Sequence, residues 1–264
     1  MPYLTRDDGV KIYWQEHGAG DPLLLIMGLG ATLEWWNRLV PVLSARYRTI
    51  VYDNRGVGRS DIPPGPYPIP VMAGDAAAVL DAAGIESAHV FGASMGGMIA
   101  QELALTHPSR VRSLILGCTA CGGTQAVPAS RGVAAALSAR KTMTREEAMW
   151  VMAPYIFDDG TPRERVAEDI AVRLTATVTN DGYFAQLGGI RAWSGTHDRL
   201  GSLTMPTLVV HGETDQLVPA ENGRIIAKAI PGSRLVMIPH ASHIFFTDQF
   251  EATSGAILSF LDGT

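Results

Sequence analysis

The sequence predicts an α/β protein, a doubly wound and mostly parallel sheet interrupted by a helical insertion. Three observations carry that expectation. Short apolar, β-prone runs alternate with helix-forming runs over most of the chain. One such pair flanks Gly92-Ala93-Ser94-Met95-Gly96, so the pentapeptide sits in a strand–turn–helix setting. The alternation stops between about residues 118 and 200, where no convincing strand is found, and then resumes.

The elements follow in order. Ile12–Gln15 alternates as a strand, and Gly18–Pro22 is a turn. Leu23–Met27 is continuously apolar, as in a strand covered on both faces, and ends in Gly28-Leu29-Gly30. A helix is predicted over Trp35–Ser44 and a strand over Thr49–Tyr52. The loop Asp53–Asp61 is rich in glycine and charge. It lacks the G-K-[ST] ending of a phosphate loop, so a tight connection held by Arg–Asp pairing is expected. Met72–Ala83 reads as a helix with Gly84 as its C-cap. The strand entering Ser94 and the helix leaving it follow, then a strand at Val111–Leu116.

The insertion holds helix candidates near Thr144–Met152, Arg163–Thr175 and Gly182–Trp193, with many methionines and aromatics. Its position between two strands suggests a lid over a pocket, against the plainer reading of a packed subdomain. Thr207–Val210, Asn222–Ala229, Leu235–Ile238 and Phe250–Leu261 restore the strand–helix alternation. The expected division is a core of residues 1–117 and 201–264 with a cap of residues 118–200.

Composition narrows the function. The 264 residues are 47% hydrophobic and 18% charged, enough for a large core. A net charge of −5 gives no reason to expect nucleic acid or an anionic membrane as partner. No apolar run nears the roughly 20 residues that span a bilayer, and the first residues show no signal pattern, so a cytoplasmic protein is expected. Cys118 and Cys121 are spaced C-x-x-C with no partner motif. Two small buried thiols are favoured over a redox pair or half a zinc site. No H-E-x-x-H or H-x-x-E-H occurs, and neither metal nor cofactor is expected.

Sites in such sheets gather at the carboxyl ends of the strands. There the sequence places Gly28-Leu29-Gly30, Ser94, Asp215 and His243, with the last three in the order Ser…Asp…His. A serine hydroxyl needs a base to take its proton, histidine titrates near neutrality, and a carboxylate fixes the imidazole's tautomer. The N–H groups of Met95 and Leu29 are placed to receive a tetrahedral oxyanion, and Gly28 and Gly30 let that loop approach a substrate.

These residues resemble those of the α/β-hydrolase-fold serine hydrolases. The match rests on Gly28-Leu29-Gly30, Asp53–Ser60, Gly92–Gly97, His211–Asp215 with Val218-Pro219, and Ala241–His243. It is similar to the branch of carboxylesterases, 3-oxoadipate enol-lactonases, polyketide methylesterases, cofactor-free haloperoxidases and C–C bond hydrolases. The resemblance implies an eight-stranded sheet with a helical cap after the sixth strand. It implies Ser94 as nucleophile, Asp215 as acid and His243 as base, with Leu29 and Met95 as the oxyanion hole. It also favours His243 over His240, and Asp215 over Glu213. Two positions depart from the family pattern. Met27 stands where many relatives have histidine, and Ser242 where many have glycine. The expected reaction is hydrolysis of a small-molecule ester or lactone of small to medium hydrophobic size. Trp35 and Trp36 are candidate pocket residues, and Arg191 a candidate cation for an enol-lactone. C–C bond hydrolysis, perhydrolysis and a hydrolase-like ligand receptor stay open, as does homo-oligomer formation.

Overall fold

The computed structural model describes residues 2–139 and 142–264. Eight strands form one sheet in the order β1-β2-β4-β3-β5-β6-β7-β8. They are β1 (Tyr3–Thr5), β2 (Lys11–His17), β3 (Asp21–Ile26), β4 (Tyr47–Tyr52), β5 (Ala88–Ala93), β6 (Val111–Gly117), β7 (Thr207–Gly212) and β8 (Arg234–Ile238). From β4 to β8 every pairing is parallel. β1 and β2 form an antiparallel edge against β4.

The apolar run of β3 has the role its composition predicts. Leu24 and Ile26 pack into the core on one face of the sheet, Leu23 and Leu25 into the core on the other. Helices α2 (Ile69–Ala82), α3 (Met95–Thr106) and α9 (Glu221–Ala229) bury their apolar residues in the first core. Helices α1 (Leu39–Leu43), α10 (Phe245–Asp248) and α11 (Phe250–Leu261) bury theirs in the second.

Two helix boundaries differ from expectation. The helix predicted over Trp35–Ser44 is split into a 3₁₀ turn at Leu33–Trp36 and the short α1. Pro41 explains the break, since its ring would clash with the carbonyl of Asn37 in a continuous helix and it has no N–H to donate. Helix α2 starts three residues before the expected Met72, with Pro70 in its first turn, where a missing N–H costs nothing.

Between β6 and β7 the described residues form helices α4 (Arg131–Ala139), α5 (Arg145–Ile156), α6 (Arg163–Leu174), α7 (Asn180–Ala192) and the single turn α8 (His197–Leu200), and no strand. Their ends are written locally. Thr144 and Glu147 form a reciprocal capping box on α5, and the Thr179 hydroxyl accepts from Gly182 N to cap α7. Helix α4 and the single turn α8 match none of the three helices expected here. Among the described residues no helix is long and apolar enough to cross a membrane.

Candidate active site

The turn between β5 and α3 is a forced conformation. Ser94 has φ 58° and ψ −123°, in a region that side-chain-bearing residues rarely occupy. Its flanking glycines are steric necessities. A Cβ on Gly92 would lie 2.2 Å from the Gly96 carbonyl oxygen, and a Cβ on Gly96 would lie 2.0 Å from that of Ile26. The turn therefore lifts the Ser94 hydroxyl above the carboxyl end of the sheet. Met95 is the first residue of α3, so its N–H has no intrahelical acceptor. Gly28 approaches so closely that its own Cβ would sit 2.9 Å from the Cβ of Ser94. This places the Gly28-Leu29 segment beside the serine.

The loops after β7 and β8 bring the other two groups together. His243 Nδ1 lies 2.8 Å from Asp215 Oδ2. The second carboxylate oxygen of Asp215 accepts from the N–H groups of Leu217 and Val218, at 2.9 and 2.8 Å. Burial pushes this carboxyl up, but the imidazoles of His243 and His211 outweigh it and hold it down at about 2. Asp215 is thus an anion at any working pH, and Nδ1 of His243 is its donor. That leaves Nε2 as the nitrogen that can take a proton.

His211, which the sequence suggested only as a strand cap, is fully buried within β7. Its Nε2 lies 3.2 Å from Asp215 Oδ2 and 2.8 Å from the Val218 carbonyl. The rivals stand apart, since Glu213 and His240 are both exposed.

Ser94 and His243 line one cavity of about 250 Å³, with Gly28, Leu29 and Met95 in the same wall. The remainder is apolar, and much of it comes from the insertion: Leu137, Met152, Ile156, Tyr183, Leu187 and Ile190. Trp35 also lines it. Trp36 does not take the pocket position expected of it. It is fully buried against Phe91 and Phe246, with ring centres 5.0 and 5.7 Å away, because the 3₁₀ turn directs successive side chains to different sides. Arg191 is absent from the wall of this cavity. Cys118 and Cys121 are buried free thiols, as composition suggested. Cys118 lines the cavity, and burial together with the Asp215 charge pushes its thiol well up, away from the reactive thiolate.

Supporting residues emerge that no motif announced. Gln186 of α7, fully buried, accepts from Gly30 N at 2.8 Å and donates to the Arg55 carbonyl at 2.9 Å. Asn54 donates to the Met27 carbonyl at 2.9 Å. The loop after β3 is therefore held from both ends with Met27 in place of the histidine that the resemblance led one to expect. The Asp53–Asp61 loop is tied as expected. Asp53 pairs with Arg59 Nε at 3.3 Å and accepts from Leu33 N and Arg59 N, both at 2.9 Å. On the far side, Asp248 accepts from Ser242 N at 2.7 Å, Asp158 N at 3.1 Å and the Thr161 hydroxyl at 2.7 Å. It links the insertion to the loop that carries His243.

Comparison with known proteins supplies the family. A match to the family described as "alpha/beta hydrolase fold" covers residues 21–149 and 164–250. This chain belongs to the α/β hydrolase family. A poly(3-hydroxyalkanoate) depolymerase of Ectopseudomonas oleovorans is 32% identical over 91% of this chain and 84% of its own. The crystal structure of the enol-lactonase from Burkholderia xenovorans superposes with a TM-score of 0.85 at 29% identity, covering 99% of this chain and 100% of that one. A thermophilic esterase from Thermogutta terrifontis, malate bound, gives 0.85 at 27% identity over 100% and 99%. The resemblance drawn from the motifs and the eight-stranded sheet it implied both stand.

Proposed function

We propose that this α/β hydrolase cleaves carboxylic esters or lactones of small to medium hydrophobic size through an acyl-enzyme. The observation that carries the reading is the buried Asp215–His243 pair, 2.8 Å apart, facing the same cavity as a serine held on a strained turn. Ser94 Oγ attacks the carbonyl carbon while His243 Nε2 takes its proton. Asp215 stabilises the imidazolium and keeps Nδ1 protonated. The N–H groups of Leu29 and Met95 receive the oxyanion. His243 then protonates the leaving alcohol, activates a water on the acyl-enzyme and returns the proton to Ser94. Residues 118–200 act as a cap that sizes the pocket and excludes water from it. Relatives named as a depolymerase, an enol-lactonase and an esterase support acyl transfer to water.

The test is turnover of p-nitrophenyl esters from acetate to decanoate by wild type and Ser94→Ala. Loss of turnover on the order of 10⁴-fold or more in the mutant is expected. Retention of most turnover would sink the mechanism.

A further inference from the structure

Next to the cavity beside Ser94 lies a second chamber of about 120 Å³, which shares Leu29, Trp35 and Tyr183 with it as wall residues. The lining changes in kind. Arg145, Arg173, Thr179 and Asn180 enter the wall, and among the described residues no Asp or Glu lines either chamber.

Arg173 is the unusual residue. It is 3% exposed, with its guanidinium 3.9 Å above the centre of the Trp35 ring and 5.2 Å from that of Phe157. Among the described residues its hydrogen bonding is poor. Nη2 reaches Asp169 Oδ2 only at 3.4 Å. Asp169 is already engaged by Arg38 Nε at 2.8 Å and by the Thr247 hydroxyl. Among the described residues Nε and Nη1 make no hydrogen bond, and Arg173 lines the chamber. A cation taken out of water with donors unpaired is costly unless something supplies the missing acceptors. Burial accordingly draws this guanidinium down to about 10. Arg145 in the same wall holds the carbonyls of Ala176 and Arg173 and adds a second positive charge.

We propose that the second chamber is a carboxylate subsite, in which Arg173 receives an acid group of the substrate remote from the scissile carbonyl. The scissile position rests on the hydrolase reading above. The substrate class is then a half-ester of a dicarboxylic acid, or a lactone bearing an acid side chain, and not a simple fatty ester. A planar guanidinium matches the two coplanar oxygens of a carboxylate, and the small chamber suits that group. The shared wall at Leu29 is consistent with this arrangement, because the residue whose N–H would hold the oxyanion also borders the acid chamber.

The experiment compares methyl half-esters of dicarboxylic acids, succinate through suberate, with methyl esters of fatty acids of matching length. Wild type should favour the half-esters in kcat/KM. In Arg173→Met that preference should shrink by about 10- to 100-fold, the span of a charge-assisted hydrogen bond. Arg173→Lys should retain part of it. The Met variant leaves Asp169 paired with Arg38 and Thr247, so no buried anion is orphaned. A wild type with no preference, or a preference that survives Arg173→Met, overturns the subsite. A second readout is independent of chemistry. Monomethyl adipate should bind Ser94→Ala in calorimetry and bind Ser94→Ala/Arg173→Met at least about tenfold more weakly. Equal binding to both, or to neither, overturns the subsite. Absence of ester turnover in wild type would instead overturn the hydrolase reading, leaving the binding arm to decide the subsite.

Discussion

The carboxyl edge of the sheet and the inserted helices meet at one cavity but hold their residues by different means. On the sheet side the backbone does the positioning. Ser94 is pinned at a positive φ by glycines that leave no room for a methyl group, and Asp215 is fixed by two backbone N–H groups and an imidazole. On the insertion side the wall is Leu, Met, Ile and Tyr side chains, whose contacts set volume and not angles. Among the polar ties that join the halves, Gln186 reaches the loop after β3, and Asp248, which also holds the loop of His243, accepts from Asp158 and Thr161. Acyl transfer needs fixed donors and a fixed nucleophile, whereas pocket shape tolerates exchange of one apolar side chain for another.

If that contrast is right, the largest effect lies on the sheet side. Asp215→Asn should keep the fold and lower kcat by about 10⁴-fold, because the imidazole loses its tautomer and its counter-charge. A loss below about tenfold would mean that His243 is oriented by other contacts. The next effect separates neighbouring tryptophans. Trp36→Ala should destabilise the protein by about 3–5 kcal/mol in denaturant unfolding. Trp35→Ala, at the cavity wall, should cost less stability and shift KM across an ester series. Equal stability losses would place both rings in the core.

Smaller still is the tie through Gln186. Gln186→Leu should lower kcat by about tenfold with little change in KM, since the oxyanion loop loses a hydrogen bond that holds its amides. A KM effect alone would assign Gln186 to pocket shape.

The smallest effect is one of pH. Burial, stronger than the hydrogen bonds it receives, lifts Asp248 from 3.8 to about 6. A carboxyl raised in the folded state stabilises the fold where it is protonated, and loses that contribution as pH rises through about 6. The Tm advantage of wild type over Asp248→Asn should therefore grow on acidification from neutrality to about pH 4, by up to about 3 kcal/mol in stability. A pH-independent difference would show that Asp248 stays ionised and acts only as an acceptor.

What could be read in advance follows from the same physics. Ser94, Asp215 and His243 were legible because a strained turn demands glycines at fixed offsets, and because strands of a parallel sheet end on one side. Each motif thereby carried its own place in space. Helix α4 was not legible, since residues 131–139 are a short run of mostly alanine and other small residues with only two large apolar side chains. Trp36 was misplaced because Pro41 forces a 3₁₀ turn and a new start, which rotates the ring into the core. His211 looked like the end of a strand, and nothing local tied it to Asp215 beyond a spacing shared by many loops.

The sequence by itself determined the sheet, the nucleophile turn and the identity of the groups that can pass a proton, because each depends on residues within a few positions of one another. The tertiary structure alone decided what surrounds them. Gln186 meets Gly30 across 156 positions, and Thr161 meets Asp248 across 87. Arg173 lines the second chamber only because α6 packs over Trp35. Such pairings are set by how the insertion settles on the sheet, a sum of many weak apolar contacts, none of which leaves a periodic mark in the chain.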